Sequence, residues 1–236
     1  MIPVFGSGTG GVVYIRKDMG INNIIKDFKK LKSTSLVFGS QGVNSLDAIP
    51  VLAFDMLGLD VNIVYGMKGR KVGRAAIIRG ETTIDYQTTA SYLKHVNPLV
   101  ENNEMIPLMT WGSVINGQIT RDPNFPDLPS FAEVYEKVIE NKNKEAFDAW
   151  QVLFNAGFAT QKFIVLPKSA SDDVVKSWIK ASAQIVNDLE TMRVINKKLG
   201  NYKQIIDENL DTALRKASTL NGPTYEYLSS WMETKQ

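Results

Sequence analysis

The sequence predicts an α/β protein built as two lobes. Three observations carry that prediction. Short apolar strands alternate with helical spacing through residues 11–111, the loops after those strands are rich in Gly, Ser, Asn and Thr, and beyond residue 130 the chain turns mainly helical. With 236 residues, 44% of them hydrophobic, there is material for one large domain or two small ones at about 150 residues each.

The elements follow in order. Gly11–Ile15 is expected as the first strand. Ile21, Ile24, Ile25, Phe28 and Leu31 then recur at helical spacing, with Lys26, Asp27, Lys29 and Lys30 on the opposite face. Ser35–Phe38 reads as a buried strand. Leu46–Leu57 reads as a helix that tolerates Pro50 in its first turns and stops at Gly58. Val61–Tyr65 is the next strand, 66–73 a basic loop, Arg74–Arg79 a helix and Gly80 its stop. Thr82–Gln87 is a strand, followed by a helix to about His95, and Met105–Trp111 is a further strand. Such alternation predicts a parallel sheet.

Pro123, Pro126 and Pro129 then impose an extended stretch, and Ser130 with Glu133 forms a capping box. Gln161–Leu166 is a strand. Asp172 and Asp173 suit a helix N-terminus, and Val174, Val175, Trp178, Ile185, Val186 and Leu189 make one long apolar stripe. Gly200 closes the next helix, and 209–219 and 223–232 are helical.

Composition narrows the function. Lys and Arg number 27 against 25 Asp and Glu, a balance that argues against a nucleic-acid binder. Cysteine is absent, which excludes disulfides, thiol catalysis and Cys-ligated metals. The longest apolar run, Ala48–Phe54, is too short to cross a bilayer, so the chain is not expected to be membrane-embedded, and residues 1–6 do not read as a signal peptide. His95, the single imidazole, falls at a helix C-terminus where a cation meets free carbonyls, and reads as a surface residue. No catalytic residue, metal or cofactor is therefore assigned. Gly6–Gly11 spells G-x-G-x-x-G, yet a strand-like Val-Val-Tyr-Ile follows it instead of a helix, so it reads as a flexible crossover or turn.

Three loops remain as binding candidates. Gly39, Ser40, Gln41, Gly42, Asn44 and Ser45 lie between a strand and a helix, where backbone N–H groups can seat an anion, or where they form an ordinary capped turn. Tyr65 and Gly66 lead into a basic segment, Lys68 to Arg79, that is either anion-attracting or a solvated helix face. Gln87, Thr88 and Thr89 form the third. Loops at the carboxyl ends of strands share clefts in open α/β sheets.

At these residues the sequence resembles a family. Phe38–Ser45, Val64–Gly66 and Ile78–Glu81 are similar to segments of the tripartite tricarboxylate transporter substrate-binding proteins. Phe125–Glu133 resembles their Pro-Asp-x-Pro-Thr-x-x-Glu element, and Leu166–Asp173 their strand-to-helix return, with Ser171 where proline is usual. The resemblance implies a periplasmic binding protein fold of type II, whose two lobes close on a small carboxylate and deliver it to membrane permease subunits. It implies a periplasmic location, a second lobe over 1–158 and the C-terminal part of the first over 159–236. It also implies roughly another hundred residues ahead of this point, so the first lobe is expected to be incomplete. The competing expectation is an α/β enzyme acting on an anionic or phosphorylated substrate gripped by Lys68 and Arg70.

Overall fold

Strands and helices alternate as the sequence pattern requires, and sheet order decides where their loops meet. The computed structural model describes residues 1–115, 117–206 and 208–235. In chain order the elements are β1 (Ile2–Ser7), β2 (Gly11–Arg16), α1 (Phe28–Lys32), β3 (Leu36–Gly39), α2 (Ala48–Met56), β4 (Val61–Val64), α3 (Arg70–Ile78) and β5 (Ile84–Thr88). There follow α4 (Thr89–His95), α5 (Asn97–Glu101), β6 (Met105–Thr110), β7 (Ser113–Ile115), β8 (Gln118–Thr120), α6 (Phe131–Val138) and α7 (Lys144–Phe154). The chain continues through β9 (Lys162–Leu166), α8 (Asp172–Asn187), α9 (Leu189–Leu199), β10 (Gln204–Ile206), α10 (Glu208–Ser218) and α11 (Gly222–Glu233).

The larger sheet departs from the all-parallel expectation. β3 and β4 are parallel, but β2 lies between β5 and β6 and runs antiparallel to both. Thr83, just before β5, joins the two ladders: its N–H donates to Val37 O at 2.9 Å and its hydroxyl accepts from Val37 N–H at 2.8 Å. Periodicity reports that a strand is buried but not its direction, and β2 reaches this sheet directly from β1, which belongs to another sheet.

The smaller sheet has the order β10-β1-β9, antiparallel throughout. Sequence reading missed β1 because Pro3 and Gly6 look like breakers. Pro3 is tolerated at a register shift against β9. Two segments link the sheets: Gly8–Gly10, a crossover from β1 to β2 in the glycine-rich motif, and the chain after Phe158, with Thr9 N–H donating to Phe158 O at 2.8 Å.

Three local expectations are corrected. The helix proposed around Ile21–Leu31 shrinks to α1, because Asp27 accepts the N–H groups of Asn22 and Asn23 while Asn23 accepts those of Ile25 and Lys26. Those side chains offer the backbone an alternative to helix. α3 starts at Arg70 instead of Arg74, after Gly69 at φ 100°. The α8 stripe is split: Val175, Ile179, Ser182 and Val186 turn towards β1 and β10, while Trp178 is 42% and Leu189 77% exposed. A sheet of three strands covers only a narrow strip of that helix.

The main core lies beside β2 and β6. Trp111, Phe131, Trp150, Phe154 and Phe158 form a chain of ring contacts, with Phe131 and Trp150 centroids 4.3 Å apart. Phe147, Trp150 and Phe154 come from α7, an unpredicted helix capped by the Asn143 side chain. Ser130 and Glu133 make the capping box that the sequence predicts at α6. α11 packs on α7, and Trp231 donates to Asp55 at 2.7 Å.

Candidate functional site

β3, β4 and β5 end at Gly39, Val64 and Thr88, and their loops are tied together. Ser40 N–H donates to Val64 O at 2.8 Å, and Met67 N–H donates to Ser40 O at 3.0 Å, so the first two loops share a backbone seam. Arg70 closes the third side. Its guanidinium donates to Gly39 O at 2.9 Å and reaches Tyr86 O at 3.4 Å, while Gln87 Nε2 donates back to Arg70 O at 2.9 Å.

Arg70 is the electrostatic centre of this end of the sheet. Its side chain is 12% exposed and pairs with two buried carboxylates, Asp47 at 3.1 Å and Asp85. It also stacks on Phe38 and Tyr86, 5.0 and 4.5 Å from their centroids. The acids are further satisfied: Asp47 accepts from the Tyr86 hydroxyl at 2.8 Å and Gln41 N–H at 2.7 Å, and Asp85 from the Tyr14 hydroxyl at 2.6 Å and Gln87 at 3.1 Å. Burial, with the Asp47 charge beside it, pushes the Tyr86 phenol well above its ordinary value. Burial does the same to Tyr14. Both phenols are therefore fixed as donors.

The candidate residues divide by exposure. Gln41, Asn44, Tyr65 and Gly66 are exposed, and Gly42, Ser45 and Thr88 half-buried. Gly66 takes φ 93°, a backbone setting that L side chains rarely adopt. Gly39, Ser40, Gln87 and Thr89 are buried beneath them. In the first loop the Ser40 hydroxyl accepts Gly42 N–H at 3.0 Å and the Ser45 hydroxyl donates to Gly42 O at 2.7 Å, so these side chains shape the turn. The Gln87 carbonyl accepts from Arg74 at 3.2 Å and Ser91 at 2.9 Å. Thr89 meets Tyr202 and Asp122.

Sequence reasoning named Arg70 only as a grip on substrate in the competing enzyme expectation, and it missed Asp47, Asp85, Asp122 and Tyr202. Arg70 reads as one of several cations in a solvated run, and no local pattern distinguishes it. Asp47, Asp85 and Tyr86 lie 23, 15 and 16 positions from it or nearby in chain order.

A positive field borders the loops. Arg74 donates to two neutral partners, Gln87 and Ser91. His95 is held below its ordinary value, by partial desolvation first and then by the nearby cations Arg74, Lys94 and Lys71. Among the described residues no group of three or more His, Asp or Glu is placed to hold a metal ion, and no helix is long and apolar enough to cross a membrane.

No protein-family model matches the sequence, and a search of curated proteins finds no match. Solved structures do. A TctC solute-binding protein from Polaromonas is 14% identical with a TM-score of 0.61, the alignment covering 100% of this chain and 69% of that one. An R. palustris protein solved with adipate is 15% identical with a TM-score of 0.60, covering 98% and 66%. MatC from Rhodopseudomonas palustris, solved with bound malate, is 15% identical with a TM-score of 0.54, covering 99% and 69%. The chain thus spans about two thirds of their length, and it has the two-lobed α/β fold of the TctC-type periplasmic solute-binding proteins.

Proposed function

We propose that the chain is an extracytoplasmic solute-binding protein that captures a small organic acid and passes it, unaltered, to the permease subunits of a tripartite tricarboxylate-type transporter. The observation that carries this reading is the convergence of three strand-end loops around Arg70, with Arg74 bonded to Gln87 and Ser91 beside them. A cation at that edge raises the local concentration of anions. The exposed loop groups, Gln41, Asn44, Tyr65 and the backbone at Gly66, are hydrogen-bond donors and an apolar ring, suited to hold a carboxylate and its short chain. Binding of adipate and malate by proteins of the same fold supports the ligand class.

Isothermal calorimetry and thermal melts with malate, adipate and citrate test the reading. At 100 times Kd a bound acid stabilises the fold by about 2.7 kcal/mol, a clear upward shift of the melting midpoint. Asn44→Ala should weaken the acid that binds by about 1 kcal/mol. No heat and no shift with any small di- or tricarboxylate would reject the proposal.

A further inference from the structure

A buried polar cluster sits where the lobes meet. Tyr202, next to β10 of the smaller sheet, donates its hydroxyl to Asp122 Oδ2 at 2.5 Å. Thr89, at the start of α4 beside the larger sheet, lies 2.6 Å from the Tyr202 hydroxyl and 3.3 Å from the same Asp122 oxygen. Asp122 Oδ1 accepts the N–H and the side-chain amide of Asn124, each at 2.9 Å, and the Asn124 carbonyl accepts Asn201 N–H at 2.9 Å. Asp122 and Thr89 are fully buried and Tyr202 is 5% exposed. Burial, reinforced by the Asp122 charge, pushes the Tyr202 phenol far up, so it stays a donor. The cluster rests on Gly10 of the crossover segment, where a Cβ would collide with Asp122 and Tyr202.

We infer that Asp122 is a built-in carboxylate that latches the two lobes together, holding the hydroxyls of Tyr202 and Thr89 that an incoming acid would otherwise take. The chemistry is an exchange of one carboxylate for another on the same donors, with no covalent change. A protein so latched binds its acid more weakly than its open state would, because Kd is divided by the open fraction. This inference rests on the reading of Thr89 as part of the ligand site, but the latch itself does not.

Asp122→Asn and Tyr202→Phe test it. Small-angle scattering without ligand is expected to give a larger radius of gyration for both variants than for the unmodified chain. Amide exchange at 8–10 and 158–161 is expected to accelerate, while far-ultraviolet dichroism stays unchanged. Asp122→Asn, which keeps both hydroxyls and removes the competing charge, should bind malate or adipate up to about tenfold more tightly. If Asp122→Asn does not fold, Tyr202→Phe alone carries the scattering and exchange test. Unchanged scattering and exchange in a folded variant would overturn the latch, whatever its affinity. Opened variants with no acid binding in any form would uphold the latch and reject the proposed function.

Discussion

Replacing Arg70 with methionine removes the charge at the centre of the site while keeping most of its volume. Asp47 and Asp85, 0% and 1% exposed, then lose their cation, and Gly39 O and Tyr86 O lose a donor. Breaking a buried ion pair from one side costs about 3–5 kcal/mol. The stranded carbonyls and the lost stacking on Phe38 and Tyr86 overlap with that figure, so about 4–6 kcal/mol is expected for the whole change. A domain of total stability about 5–15 kcal/mol would be left marginal. Urea unfolding followed by tryptophan fluorescence reads the loss. A double-mutant cycle with Asp85→Asn should return a coupling of about 2 kcal/mol. A cost under about 1 kcal/mol, or a coupling near zero in that cycle, would refute the reasoning.

Three further outcomes are expected. Ser130→Ala removes the acceptor of Glu133 N–H at 3.2 Å and should cost about 1 kcal/mol in the same assay. Glu133 in that box is partly buried, which raises its pKa, but Ser130 N–H, the Arg121 guanidinium and the Ser130 hydroxyl outweigh burial and hold it below its ordinary value. Its stabilisation is present above the unfolded glutamate pKa, about 4.3, and fades as pH falls through the lower folded value, so Glu133→Gln should flatten the acid limb of the unfolding midpoint. His95→Ala, at an exposed position, should change stability by less than about 0.5 kcal/mol and leave acid binding intact, and a large loss of affinity by calorimetry would show that this residue reaches the ligand.

The candidate site was half legible in the sequence. The loops at Gly39–Ser45, Tyr65–Gly66 and Gln87–Thr89 announce themselves by small and polar residues that follow apolar strands, and the structure brings all three to one end of the sheet. What binds them to one another was not legible. Arg70 sits in a run of cations, and only folding shows that it alone turns inward between Phe38 and Tyr86. Thr89 was legible as a loop residue, while its burial against Tyr202, 113 positions away, was not.

By itself the sequence determined the kinds of most elements, though not β1 or α7, and several of their ends: Pro50 in the first turn of α2, Gly58 after it, and the Ser130 and Glu133 cap. These are local effects, set by the few bonds a residue makes with neighbours along the chain. Tertiary structure decided the antiparallel entry of β2, the split face of α8, and the two buried carboxylate clusters around Arg70 and Asp122. Each of these depends on which distant surface supplies the missing hydrogen-bond partner or covers the apolar side chain, and that is fixed only when the sheets have formed.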